Sequence, residues 1–192
     1  MGFLDKLKEK ASEASTAISA SAGNKSYEFT FSKIPESLEE LNACEGSDLA
    51  KPEQTAALFM LALCEYVENP DMGIQMINAL KGPEDLSTYD MQFLKEHLSD
   101  KKYLPKSYFA GTSPANNYTP TFPLKITVSE NAYSRSEESK GYVRMWLKSS
   151  GADHPREITL RYKPSDKMWF VNGFPGGLLS GIRIPAAEDK WA

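Results

Sequence analysis

Cysteine and histidine are scarce, with two of each in 192 residues. Cys44 and Cys64 cannot make the dense disulfide framework of a small secreted domain. Cys64 sits inside an apolar run, where a thiol behaves as a small hydrophobe, and both cysteines are expected to be free. His97 and His154 stand far apart, with no CxxC or HExxH spacing, so no metal site is expected. Long apolar runs are also missing. The longest, Ala56 to Cys64, falls far short of the roughly 20 residues that cross a bilayer. Asp5, Lys6, Lys8, Glu9 and Lys10 stand where the apolar core of a leader would begin, and Lys6 breaks the myristoylation pattern. The expected location is cytoplasmic, with contact at a membrane surface left open.

Catalytic signatures are absent as well. There is no GxSxG elbow. Gly173, Gly176 and Gly177 surround Phe174 and Pro175, but no Lys-Ser/Thr pair follows, so the stretch reads as a turn and not a phosphate cradle. No catalytic residue and no cofactor is assigned.

What is present is ordinary globular composition, 41% hydrophobic and 25% charged, enough for a core of normal size. The net charge of -4 is unevenly spread. Residues 1–100 hold 8 basic and 18 acidic side chains, and residues 101–192 hold 14 and 8. Two halves that attract each other are the simpler reading; two faces with different partners is the other.

Along the chain, Phe3, Leu4, Leu7, Ala11, Ala14 and Ile18 recur at helical spacing, a narrow apolar stripe. A Ser/Gly/Asn linker follows. Tyr27, Phe29 and Phe31 alternate as in a half-buried strand. Ser37 with Glu40 makes a capping box for a short helix. Pro52 opens a helix to about Val67, apolar on every side and so central. Asn69-Pro70 opens another, stopped by Gly82-Pro83, and Ser87 with Asp90 caps the next. Residues 103–123 are too rich in Pro, Gly and Asn for helix, and a long irregular segment inside a domain is often functional. From Leu124 the period changes to two, giving strands at Leu124–Val128, Val143–Leu147, Ile158–Lys163 and Trp169–Val171. The fold class is α+β: N-terminal helices packed on a C-terminal antiparallel sheet of about four to five strands. Residues 1–23 form an amphipathic helix and linker, and residues 24–192 a single domain. Trp191 suggests that the C-terminus is tied down.

Two weaker signals remain. Tyr108, Asn116, Asn117 and Tyr118, with Trp146, are candidates for the lining of a polar pocket beside the sheet. The competing reading is that the tyrosines pin the loop and the amides make turns. On the sheet's outer face, Arg144, Trp146 and Lys148 are expected beside Thr159, Arg161 and Lys163. Basic residues interleaved with an aromatic suit a phosphate backbone, but overall acidity counts against nucleic acid, and a solvated face is preferred.

The phrases SYFAGTSPANNYTP (107–120), ITVSENAYS (126–134), SSGADHPREITLR (149–161) and IRIPAAEDKWA (182–192) resemble an uncharacterised bacterial family, a domain of unknown function of about this length. The opening MGFLDKLKEKASE resembles those of several unrelated bacterial cytoplasmic proteins. The resemblance implies a bacterial, cytoplasmic single domain and carries no activity, cofactor or catalytic residue.

The first functional expectation is a non-enzymatic binding or interaction protein. Its N-terminal helix would dock through Phe3, Leu4 and Leu7 on a protein partner or a membrane surface. The alternative is a small-ligand pocket in a cone-shaped α+β fold resembling nuclear transport factor 2, a fold that hosts enzymes too.

Overall fold

The computed structural model describes residues 24–191. A strand comes first: β1, Lys25–Phe31, whose alternation turns Phe29 and Phe31 into the core. Four helices follow, α1 (Leu38–Asn42), α2 (Pro52–Glu68), α3 (Pro70–Lys81) and α4 (Thr88–Leu98). Then come β2 (Leu124–Glu130), β3 (Tyr142–Leu147), β4 (Arg156–Lys163) and β5 (Met168–Val171). The sheet is antiparallel and curled, in the order β1-β2-β3-β4-β5. The fold is therefore α+β, but the helices do not simply precede the sheet, as the sequence suggested. They fall between β1 and β2, which pair over all seven residues across that insertion. The apolar face of β1 needs burial, and β2 supplies the matching face with Leu124, Ile126 and Val128.

Local chemistry sets the helix ends. Ser37 and Ser87 accept hydrogen bonds from the backbone N–H groups of Glu40 and Asp90. Asn69 accepts one from Met72 and precedes Pro70, so α2 ends and α3 begins at one residue. Because α2 is apolar all round, it is enclosed. Ala56 to Cys64 have no exposure, and the helix packs against α3 and all five strands. Each fully buried leucine there is worth about 1.5–3 kcal/mol.

The sheet has one weak seam. β2 and β3 pair only at Val128–Leu147 and Ser129–Trp146. The irregular 103–123 segment fills the gap. Phe109 bridges Ile126, and the Ala110 N–H donates to the Lys125 carbonyl at 2.9 Å. Two residues before Phe109, the Ser107 carbonyl accepts from the Ser150 N–H at 2.9 Å. This satisfies strand edges that would otherwise be orphaned.

Contacts between the acidic and basic halves include the ion pairs Lys106–Glu68 (3.2 Å) and Lys125–Glu28 (3.1 Å). Among the described residues, no helix is long and apolar enough to cross a membrane. Trp191 is 96% exposed, against the expectation of an anchored C-terminus. The last anchors lie earlier, where the N–H groups of Ala186 and Ala187 donate to the Pro114 carbonyl and the Asn117 side chain.

Candidate functional site

The sequence candidates disperse. Tyr108 is buried, and its hydroxyl donates to the Leu178 carbonyl at 2.7 Å. Burial lifts that phenol well above the usual tyrosine range. Tyr118 is fully buried in a left-handed conformation (φ 53°), stacks on Tyr103, and donates to the Arg183 carbonyl at 2.7 Å. Asn116 bonds the Ser113 N–H and the Gly111 carbonyl. Asn117, also left-handed, accepts from Ala187. Trp146 lies on the outer face of β3, opposite Glu157. Phe3, Leu4 and Leu7 lie outside the described residues.

A charged cluster holds one end of the sheet. Tyr27 donates to Glu130 at 2.6 Å, and Arg135 binds both Glu130 oxygens at 2.7 and 2.9 Å. Burial would raise the Glu130 carboxyl. The hydrogen bonds from Arg135 and Tyr27, with the arginine's charge, overcome that and hold it below the usual range. Glu53, at the start of α2, is buried; its Oε2 has no hydrogen-bond partner and lies 4.0 Å from Arg135. Burial raises its carboxyl, with Arg135 opposing and Glu130 adding to the rise. One guanidinium is shared among the carboxyls of Glu130, Glu53 and Glu138, and the cluster ties α2, β1 and the β2–β3 connection together.

Cys64 is fully buried, and burial pushes its thiol up to about 12, so it is an inert core group. Among the described residues, no group of three or more His, Cys, Asp or Glu side chains is placed to hold a metal ion.

The arrangement with open chemistry is on the outer face, at β4 and β5. Ile158 and Leu160 point into the core, so Arg161 points out, and register sets Phe170 opposite it. An outward phenylalanine would normally be wet, yet Phe170 is 9% exposed. The chain leaving α3 covers it. Gly82 has φ +78°, and a Cβ there would stand 2.7 Å from the Phe170 ring, so both its conformation and its contact require glycine. This approach brings Lys81 to the site.

The result is a cleft of about 350 Å³ lined by Lys81, Glu84, Arg161, Lys163, Phe170 and Asn172, among others. Lys81 is 7% exposed. Its ammonium donates to the Gly173 carbonyl at 3.0 Å, and no carboxylate among the described residues lies within 4 Å of it. Lys163 is neutralised by Asp166 at 2.6 Å. Among the described residues, no serine, threonine, cysteine or histidine lines this cleft. It offers three cations against one lining carboxylate, Glu84, over an aromatic floor, an arrangement suited to holding an anion. Asn172 also lines a second cleft of about 350 Å³, together with Ser134, Tyr142, Arg144, Glu157 and Thr159. The sequence had placed Arg144, Thr159 and Arg161 on one outer face. It gave no sign of Lys81, because only the folded α3–Gly82 turn brings it there.

Fold and site define an α+β domain with a curled antiparallel sheet, a central apolar helix and a cationic cleft on the sheet's outer face. The family model described as Domain of unknown function (DUF6935) matches residues 33–186, and the chain belongs to that family. That match covers the 103–123 segment, β2 to β5 and the cleft, with β1 lying before it, and the family's description assigns no function. No curated protein and no solved structure matches the chain.

Proposed function

We propose that this domain is a non-catalytic binding module that takes a small organic anion in the outer-face cleft. The observation carrying the reading is Lys81. Burying an ammonium without a countercharge costs free energy, and here the group lines an open cleft beside Arg161 and above an apolar ring. An anionic ligand would supply the missing charge, and Phe170 the apolar contact. The small-ligand expectation is kept but moves from the 107–120 loop to the outer face of β4 and β5.

Thermal shift with phenyl phosphate, citrate and inorganic phosphate tests it. A ligand at about 100 times its Kd adds about 2.7 kcal/mol. The wild-type melting temperature is expected to rise with at least one anion, and that of Lys81→Met to stay still. Equal shifts in both proteins would remove Lys81 from the site.

We also propose that residues 3–18 dock on a partner helix or membrane surface, since Phe3, Leu4 and Leu7 recur in the sequence at helical spacing. Flotation of the full chain with anionic liposomes, compared with a Leu4→Glu/Leu7→Glu variant, tests the membrane form. Loss of flotation in the variant supports it. Failure of the wild type to float ends it.

A further inference from the structure

The chain has five arginines, and three are committed. Arg135 binds Glu130 and Glu138, Arg156 donates to the carbonyls of His154, Ser180 and Gly181, and Arg183 pairs with Asp153. The side chains of Arg144 and Arg161 make no hydrogen bond or ion pair with any described residue, and the two residues are neighbours. Register sets Arg144 opposite Thr159 and Arg161 opposite Tyr142, so the two are diagonal partners on the outer face. Diagonal Cβ atoms stand about 7–8 Å apart, within reach of long side chains. The Arg161 guanidinium lies over the Tyr142 ring, 5.4 Å from its centroid.

Between the two clefts stands Asn172, which lines both. The residue after it, Gly173, accepts the Lys81 ammonium. Lys81 and Arg161 line the first cleft and Arg144 the second, with Asn172 common to both, and none of the three has a carboxylate within 4 Å among the described residues. Two planar guanidiniums and an ammonium spread over adjoining clefts suit the several oxygens of a phosphate better than the two of a carboxylate. The second cleft differs in character. The hydroxyls of Ser134 and Thr159, the Asn172 amide and the Glu157 carboxylate are donors and acceptors of the kind that engage ligand hydroxyls. Among the described residues Glu157 has no ion-pair partner, and it lies diagonal to Arg144, on the side away from Arg161. A purely anionic ligand would be repelled by it, whereas a ligand hydroxyl would donate to it.

We infer that the ligand is a phosphorylated sugar, its phosphate seated between Arg144, Arg161 and Lys81 and its hydroxyls in the second cleft against Glu157. This rests on the anion-binding reading above and narrows it.

Calorimetric titration of the full chain with glucose-6-phosphate, ribose-5-phosphate, glucose and inorganic phosphate tests it. At least one sugar phosphate is expected to bind about tenfold or more tightly than inorganic phosphate, and glucose not measurably. Arg144→Gln and Arg161→Gln should each weaken the sugar phosphate about tenfold, a difference of about 1.4 kcal/mol. Glu157→Gln should weaken the sugar phosphate and leave inorganic phosphate unchanged. All three are surface changes, and an unaltered melting temperature confirms that the fold is kept. If inorganic phosphate binds as tightly as both sugar phosphates, or if Arg144→Gln keeps full affinity, the sugar-phosphate assignment is overturned while the anion cleft stands. If neither phosphate class binds the wild type, the sugar-phosphate assignment falls, and the anion reading falls with it if citrate and phenyl phosphate also leave the melting temperature unmoved.

Discussion

The ammonium of Lys81 donates to the carbonyl of Gly173 at 3.0 Å, joining the last residue of α3 to the chain leaving β5. The bond satisfies one proton of a nearly buried cation and leaves its charge uncompensated. Such a group weakens the fold and strengthens the site. Lys81→Met keeps the aliphatic stem and removes the charge. It is expected to leave stability unchanged or raise it by about 1 kcal/mol, measured by urea denaturation, while anion binding is lost. A large destabilisation would mark Lys81 as a structural clamp.

Tyr118 reads as a fastener. Its hydroxyl holds the Arg183 carbonyl, and the ring is wholly buried. Tyr118→Phe keeps the packing and orphans that carbonyl, so a loss of about 1–2 kcal/mol is expected. Tyr108→Phe should cost a similar amount through Leu178. Neither change should alter anion binding, which calorimetry on the two variants checks.

Glu53 makes the stability depend on pH. Its folded carboxyl titrates above the ordinary value because burial disfavours the charge. The folded state therefore holds a proton that the unfolded state releases first. Stability from this group is present at acid pH and is lost as pH rises through the raised value. The groups facing it are Arg135, Glu130 and Lys51. Glu53→Gln should flatten the pH dependence of the urea midpoint as pH rises above the ordinary carboxylate range, and raise stability at neutral pH. Glu130, held low, contributes with the opposite sign, so the two carboxylates separate in this experiment.

Gly73 lets α3 lie against α2. A Cβ there would overlap the backbone of Tyr66, which cannot move within a buried helix. Gly73→Ala is expected to destabilise by about 3 kcal/mol or more, despite its better helix propensity.

Much of the fold was legible because periodicity reports burial. The alternation at Leu124–Val128, Val143–Leu147 and Ile158–Lys163 marked three strands that the structure extends by a residue or two. The caps at Ser37, Asn69 and Ser87 are chemical signals, and all three hold. What a single chain could not show is which outward residues a distant segment covers. Phe170 and Trp146 both face out, yet Gly82 shelters only the first. The 103–123 segment stood out by composition. Its contacts with Ile126, Lys125 and Ser150 are long-range, so its place in the sheet seam was hidden. The exposure of Trp191 was likewise unreadable, since aromatic identity says nothing of what lies near the C-terminus. Trp191→Ala is accordingly expected to change stability by less than about 0.5 kcal/mol.

The central claim is that the cleft at Lys81 receives an anion, and amide NMR on the full chain tests it most directly. Titration with phenyl phosphate is expected to shift the backbone amides of Arg161, Phe170, Asn172 and Gly173 together, saturably, and not in Lys81→Met. Shifts confined elsewhere, for example to the Tyr108–Thr112 stretch, or a response that survives in Lys81→Met, would contradict the account.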